Sequence, residues 1–294
     1  MSTRHFNLER WILVATLVTL HSLARAEQRH PTSGLVLSVD RARHTIVVSC
    51  NAIPNFMDAM VMPFSVPDAK SLDPLKEGSL IDFTLVIVKG ASHVEDIRVR
   101  LYDSAEREPA KARRLKNLEE ALRGPVHRLG IGQAVPDFAL TDQVGRPFHF
   151  RELAGKVIAL NFVYTRCALP EYCFRSTNNF GVLQKKYQKR LGKDLVLLTI
   201  TFDPIHDQPG VLNDYAKTWK ADPETWHFLS GPAGDVQHVC DLFGVNYVPD
   251  EGLFVHNLHT AVIDRDGKMV ANLEGNDFTA QQFADLVGTV LDRK

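Results

Sequence analysis

Two thiols, Cys167 and Cys173, follow directly on the apolar run Val157-Ile-Ala-Leu-Asn-Phe-Val-Tyr164. Thiolates are soft donors that select Cu(I), and a neighbouring pair can also cycle between dithiol and disulfide. A second soft group lies upstream. Met57, Met60 and Met62 are three of the five methionines in the chain, and Cys50 precedes them. Thioethers bind Cu(I) and, unlike thiols, form no disulfide in an oxidising compartment. Met60 and Met62 alternate onto one face of a strand. The ordinary alternative for each group is packing, since methionine fills irregular gaps and free cysteine is commonly buried. Cys240 takes that alternative, sharing a helical stripe with Val236, Val239 and Phe243.

Spacing constrains the cysteine pair. On a regular helix, residues i and i+6 lie about 9 Å apart along the axis and on different faces. A disulfide needs Cα atoms within roughly 4.4–6.8 Å. With Pro170 between the cysteines, the segment is expected to form a looped turn that lets both sulfurs meet.

The elements that must position these groups fall into two sets. Residues 32–102 read as five short strands (34–40, 45–50, 62–66, 80–88 and 94–100) with turns and no helix between them, which predicts a small all-β, OB-like barrel. A charged stretch, 103–128, with Pro109, Gly124 and Pro125 reads as a linker carrying a short exposed helix on Leu115, Leu118 and Leu122. From 129 to 294 strands and helices alternate, and the order predicts an α/β thioredoxin-like domain. Its buried strands are 157–164 and 195–202. Its helices are 176–191, one capped by Asp207, 235–243 and 279–291, and a hairpin spans 258–273. Reactive groups in such sheets collect beyond the carboxyl ends of the strands, which is where Cys167 and Cys173 stand.

The first 26 residues read as a secretory signal: Arg4 and Arg10, an apolar core from Trp11 to Leu20, and Ala24-Arg25-Ala26 as the cleavage site. The expected location is therefore the periplasm or another exported compartment, after cleavage at Ala26. The formal net charge of −1 over 294 residues lacks the basic footprint of a nucleic-acid-binding protein. Four cysteines are too few for a disulfide scaffold in a chain of this length.

Phe162-Val-Tyr-Thr-Arg-Cys167, Thr201-Phe-Asp-Pro-Ile-His-Asp207 and His256 upstream of Gly267 together resemble the Sco/SenC family of exported, thioredoxin-fold copper proteins. That resemblance implies a role in assembling the copper centre of cytochrome c oxidase. It also implies that Cys167, Cys173 and His256 hold copper with Asp203 in support. The cysteine spacing here is C-x5-C where the family has C-x3-C. The strand region resembles the CusF-like periplasmic copper barrels, in which an M-x-M pair, a histidine and an aromatic residue bind Cu(I). Met60 and Met62 match the pair, Cys50 stands in the histidine's place and Met57 in the aromatic's.

From residue types alone His259 competes with His256, His206 is a further imidazole nearby, and Asp203 could simply cap the turn at Pro204. The leading expectation is a copper metallochaperone whose partners are the copper ion and a client cuproprotein or thiol partner, a membrane-associated client included. A thiol–disulfide oxidoreductase acting on exported partner cysteines is the alternative, although the C-x-x-C spacing of such enzymes is absent. A peroxidase dependent on Cys167, or an interaction module with degenerate sites, is the remaining choice.

Overall fold

The computed structural model describes residues 27–88, 90–100, 113 and 128–293. The signal segment, and the linker apart from Arg113 and Arg128, lie outside the described residues.

Five strands close into a barrel in the order β1-β2-β3-β5-β4: β1 (Gln28–Asp40), β2 (Thr45–Cys50), β3 (Met60–Ser65), β4 (Leu80–Val88) and β5 (Ala91–Val99). Two strands begin earlier than expected from sequence. β1 starts at Gln28 because it pairs along β4 as far as Gln28 opposite Ile87, and β3 starts at Met60, opposite Cys50. The barrel interior is filled by Val36, Ile46, Val48, Phe64, Ile81, Phe83, Leu85 and Val94.

The second unit is a seven-stranded sheet in the order β14-β13-β8-β9-β10-β6-β7. Its strands are β6 (Ala139–Asp142), β7 (Pro147–His149), β8 (Val157–Val163), β9 (Leu195–Thr201), β10 (Trp226–Ser230), β13 (His259–Ile263) and β14 (Met269–Glu274). β8, β9 and β10 are parallel, and β13 runs antiparallel to β8, which is the mixed sheet of a thioredoxin-like fold. Helices α1 (Arg175–Lys186), α2 (Pro209–Thr218), α3 (Ala233–Phe243) and α4 (Ala280–Leu291) cover it. Alternation along β8 feeds two cores: Val157 and Ala159 face one layer, Ile158, Leu160 and Phe162 the other. Cys240 is buried in the second layer, as its stripe predicted.

Some local expectations need correction. Asp207 does not cap α2; the N-cap is Gln208, and the Asp207 carboxylate instead accepts from Thr165 and Thr201. α1 ends at Lys186, not Leu191, because Tyr187 leaves helical geometry (φ −110, ψ 25) and its hydroxyl donates to the Ala284 carbonyl. A hairpin of β11 (Tyr247–Asp250) and β12 (Leu253–His256) also went unread, being short and rich in turn formers.

The barrel packs along α4. Leu35 and Leu37, on the outward face of β1, are buried among Val157, Trp226, Phe283 and Val287. At the first turn of α4, Gln282 donates to the Ser49 carbonyl and the Asn51 side chain, and Ser49 donates to Asp285. At its far end Arg293 pairs with Glu77. Asn276, just before α4, donates to the Glu171 carbonyl in the loop between the cysteines. The Cys50 end of the barrel and the cysteine loop therefore lie at the same end of the molecule.

Candidate metal centre

β8 carries the chain to Val163, and Cys167 closes a turn by donating its amide to the Tyr164 carbonyl at 3.2 Å. Pro170–Phe174 then forms one wide turn, with the Arg175 amide reaching back to the Pro170 carbonyl. Tyr172 departs from helical geometry within it (φ −107, ψ −108), which takes up the length between the cysteines. Wide turns of this kind recur at functional sites. The effect is to fold Cys173 back under Cys167. One ligand atom each from Cys167, Cys173 and His256 lie within 4.8 Å of one another.

The two thiols differ sharply. Cys173 is 1% exposed, whereas Cys167 is partly open to solvent. A hydrogen bond from the Cys173 thiol is the largest cause holding Cys167 down to about 4 despite its burial, and the neighbouring His256 imidazole acts in the same direction. The same hydrogen bond, in which Cys173 is the donor, and then its burial push Cys173 well above the ordinary thiol range. The pair thus holds one exposed thiolate and one buried thiol, and binding a metal through both sulfurs releases the Cys173 proton.

His256 ends β12, its ring packed by Phe202 at 4.8 Å, Tyr164 at 5.7 Å and Tyr172 at 5.9 Å. Its Nδ1–H donates to the Asn257 carbonyl at 2.9 Å, which leaves Nε2 as the ligating nitrogen. His259 has no such freedom. It is buried, with Nδ1 paired to Asn272 and Nε2 to Asn257.

Asp203 is buried and stands behind the cysteine turn. It accepts from Arg166 Nη2 at 2.8 Å and from His206 Nδ1 at 2.8 Å. Arg166 also donates to the Gly252 carbonyl, in the turn of the hairpin that carries His256. Arg166 therefore ties the Cys167 turn, the Asp203 loop and the His256 hairpin together. In the sequence this arginine is only the residue before Cys167. Its role depends on contacts across 37 and 86 residues of chain, which carry no local signal.

In the barrel, Cys50 lies opposite Met60 and Val48 opposite Met62, so Cys50, Met60 and Met62 share the face of Phe64, which is the interior. Met60 is 48% exposed at the mouth. Met57 closes a tight loop with Ile53 beside it. Burial pushes the Cys50 thiol up to about 12. Phe56, beside Met57, supplies an aromatic ring at this end that residue types alone do not point to.

Two family models match. The SCO1/SenC model covers residues 129–291, and the model of the copper binding periplasmic protein CusF covers residues 29–99. Among curated relatives, the SCO2-like protein of Rickettsia typhi is 28% identical over 148 residues, 48% of this chain and 68% of that protein. Protein SCO1, mitochondrial, of Saccharomyces cerevisiae is 27% identical over 146 residues, 47% of this chain and 48% of that protein. The crystal structure of yeast Sco1 with copper bound has a TM-score of 0.46 and 24% identity, covering 55% of this chain and 90% of that one.

Proposed function

The chain belongs to the SCO1/SenC family, and from that premise we propose that it is an exported copper metallochaperone that carries copper toward the copper centre of cytochrome c oxidase. The observation that carries the reading is the meeting of two sulfurs and one imidazole nitrogen within 4.8 Å at Cys167, Cys173 and His256. Two soft thiolates with an imidazole make a donor set suited to copper, and the imidazole tolerates either oxidation state. Asp203 supports the set through Arg166. The barrel holds a second Cu(I) through Met60 and Met62, with Met57 and Cys50 alongside. Exported chaperoning accords with the periplasmic copper barrel whose family model matches the first unit.

Copper stoichiometry of the anaerobically reduced protein tests this. Two equivalents of Cu(I) are expected, falling to one in Cys167→Ser/Cys173→Ser and in Met60→Ala/Met62→Ala. Full retention of copper by the double-serine protein would remove the Cys/Cys/His site.

A second reading, thiol–disulfide exchange with an exported partner, draws support from the asymmetry of the pair. An accessible thiolate beside a buried thiol is the arrangement of an attacking and a resolving cysteine. Mixed disulfides trapped on Cys167 in a Cys173→Ser protein would favour it. Their absence would leave copper carriage alone.

A further inference from the structure

We propose that His30 is a further copper ligand, supplying an imidazole nitrogen to the barrel site beside the methionines. The proposal rests on the reading above that the barrel holds Cu(I), and it adds a residue from a strand not considered in that reading.

Pairing places the side chain. His30 lies directly opposite Leu85 on β4, Thr32 opposite Phe83 and Gly34 opposite Ile81. Directly opposed residues project to one face, and Leu85, Phe83 and Ile81 all line the barrel interior. Leu35 and Leu37, at the other parity, face α4. His30 is thus an inward-facing residue on the stretch of β1 that runs past the Gly34–Cys50 pair at the mouth.

The ring is fixed but its nitrogen is not used. His30 stacks on Phe56 with centroids 3.9 Å apart and planes 16° from parallel. Phe56 sits in the loop closed by mutual hydrogen bonds between Ile53 and Met57, so Met57 adjoins the stack. Stacking occupies the π face, whereas the imidazole lone pair lies in the ring plane. Nε2 is buried and has no hydrogen-bond partner among the described residues. A buried polar nitrogen ordinarily has a partner, which a water or a metal ion can supply.

The chemistry of the neighbours makes an imidazole useful. Thioethers are weak, neutral donors, and the thiol of Cys50 is pushed up by burial. A neutral imidazole donates without losing a proton, its hydrogen residing on Nδ1 when Nε2 binds.

The test uses the whole chain as Cys167→Ser/Cys173→Ser, which confines Cu(I) to the barrel. His30→Phe keeps an aromatic partner for Phe56 and deletes the nitrogen. In anaerobic competition with a chromophoric Cu(I) chelator, its affinity is expected to fall by at least about tenfold. In the histidine-containing protein, one equivalent of Cu(I) should shift the ¹⁵N resonance of His30 Nε2. An unchanged affinity overturns the proposal. So does a lowered affinity with an unmoved Nε2 resonance, which would make the stack merely structural. If the double-serine protein takes up no Cu(I) at all, the barrel reading itself fails, and His30 with it.

Discussion

Arg166 grips the buried carboxylate of Asp203 through both Nη2, at 2.8 Å, and Nε, at 3.2 Å, one residue before Cys167. The ion pair is half inside the protein: Asp203 is 2% exposed and the arginine 38%. Asp203 itself touches none of Cys167, Cys173 and His256 among the described contacts, so its part is to fix the turn that presents Cys167. Asp203→Asn is expected to lower Cu(I) affinity at the Cys/Cys/His site by about 10–100-fold, the usual cost of losing an outer partner. Copper bound by the barrel should be unaffected. An equal loss at both sites, measured by chelator competition, would point to general unfolding.

Cys167 should react as a thiolate far below the ordinary thiol range. Its folded pKa is depressed to about 4, so the charged form persists as pH falls and is lost only near that value. The stability linked to that depression is complete only above the ordinary thiol value of 9.0, declines steadily as pH falls below it and is gone below about 4. Iodoacetamide labelling of Cys167 is expected to be nearly flat from pH 9 to pH 5, where a free thiol slows about tenfold per unit. Cys173→Ala removes the thiol whose hydrogen bond is the largest cause, so the labelling profile should shift toward neutral pH. A tenfold-per-unit slope in the parent would contradict the pairing.

Much of this architecture was legible before any coordinates. The mostly apolar, β-favouring runs at Val157 and Leu195 predict buried strands, and five β runs without helices predict a barrel. Pro170 excluded a straight helix, so convergence of the cysteines required a loop, and the loop is there. What stayed hidden was long-range. Asp207 reads as a cap by type, but its carboxylate is taken by Thr165 and Thr201. His256 and His259 are equivalent by residue type; only the pairing of both His259 nitrogens to asparagines separates them. Arg166 and His30 owe their roles to partners far along the chain, which periodicity does not encode.

The barrel and the thioredoxin-like unit should unfold together. Leu37 is 1% exposed and belongs to the apolar layer under α4, a burial of about 1.5–3 kcal/mol. Leu37→Asp places a charge in that layer, and undocking relieves it. The parent is expected to melt in one transition seen alike by far-UV circular dichroism and by fluorescence of Trp219 and Trp226. The variant should show two, the tryptophan signal following only the thioredoxin-like unit. Coincident transitions in the variant would mean that the contact does not couple the two units.

His259 should make the protein acid-sensitive well above the range of its carboxylates. Burial lowers its pKa to about 4 from an ordinary 6.5, against the opposing pull of the hydrogen bond to Asn272. Between those values the unfolded chain binds a proton that the folded one refuses, so stability falls as pH drops below about 6.5. The linkage amounts to about 2 kcal/mol between pH 8 and pH 5. Urea midpoints at the two pH values measure it. His259→Gln, which cannot titrate, is expected to cost stability at pH 8 by disturbing Asn257 and Asn272 yet to lose that part of the pH slope. The same slope in parent and variant would assign the acid sensitivity to another group. Because Asn257 also supplies the carbonyl that holds His256 Nδ1, the variant should in addition weaken copper binding at the Cys/Cys/His site, with barrel copper as the internal control.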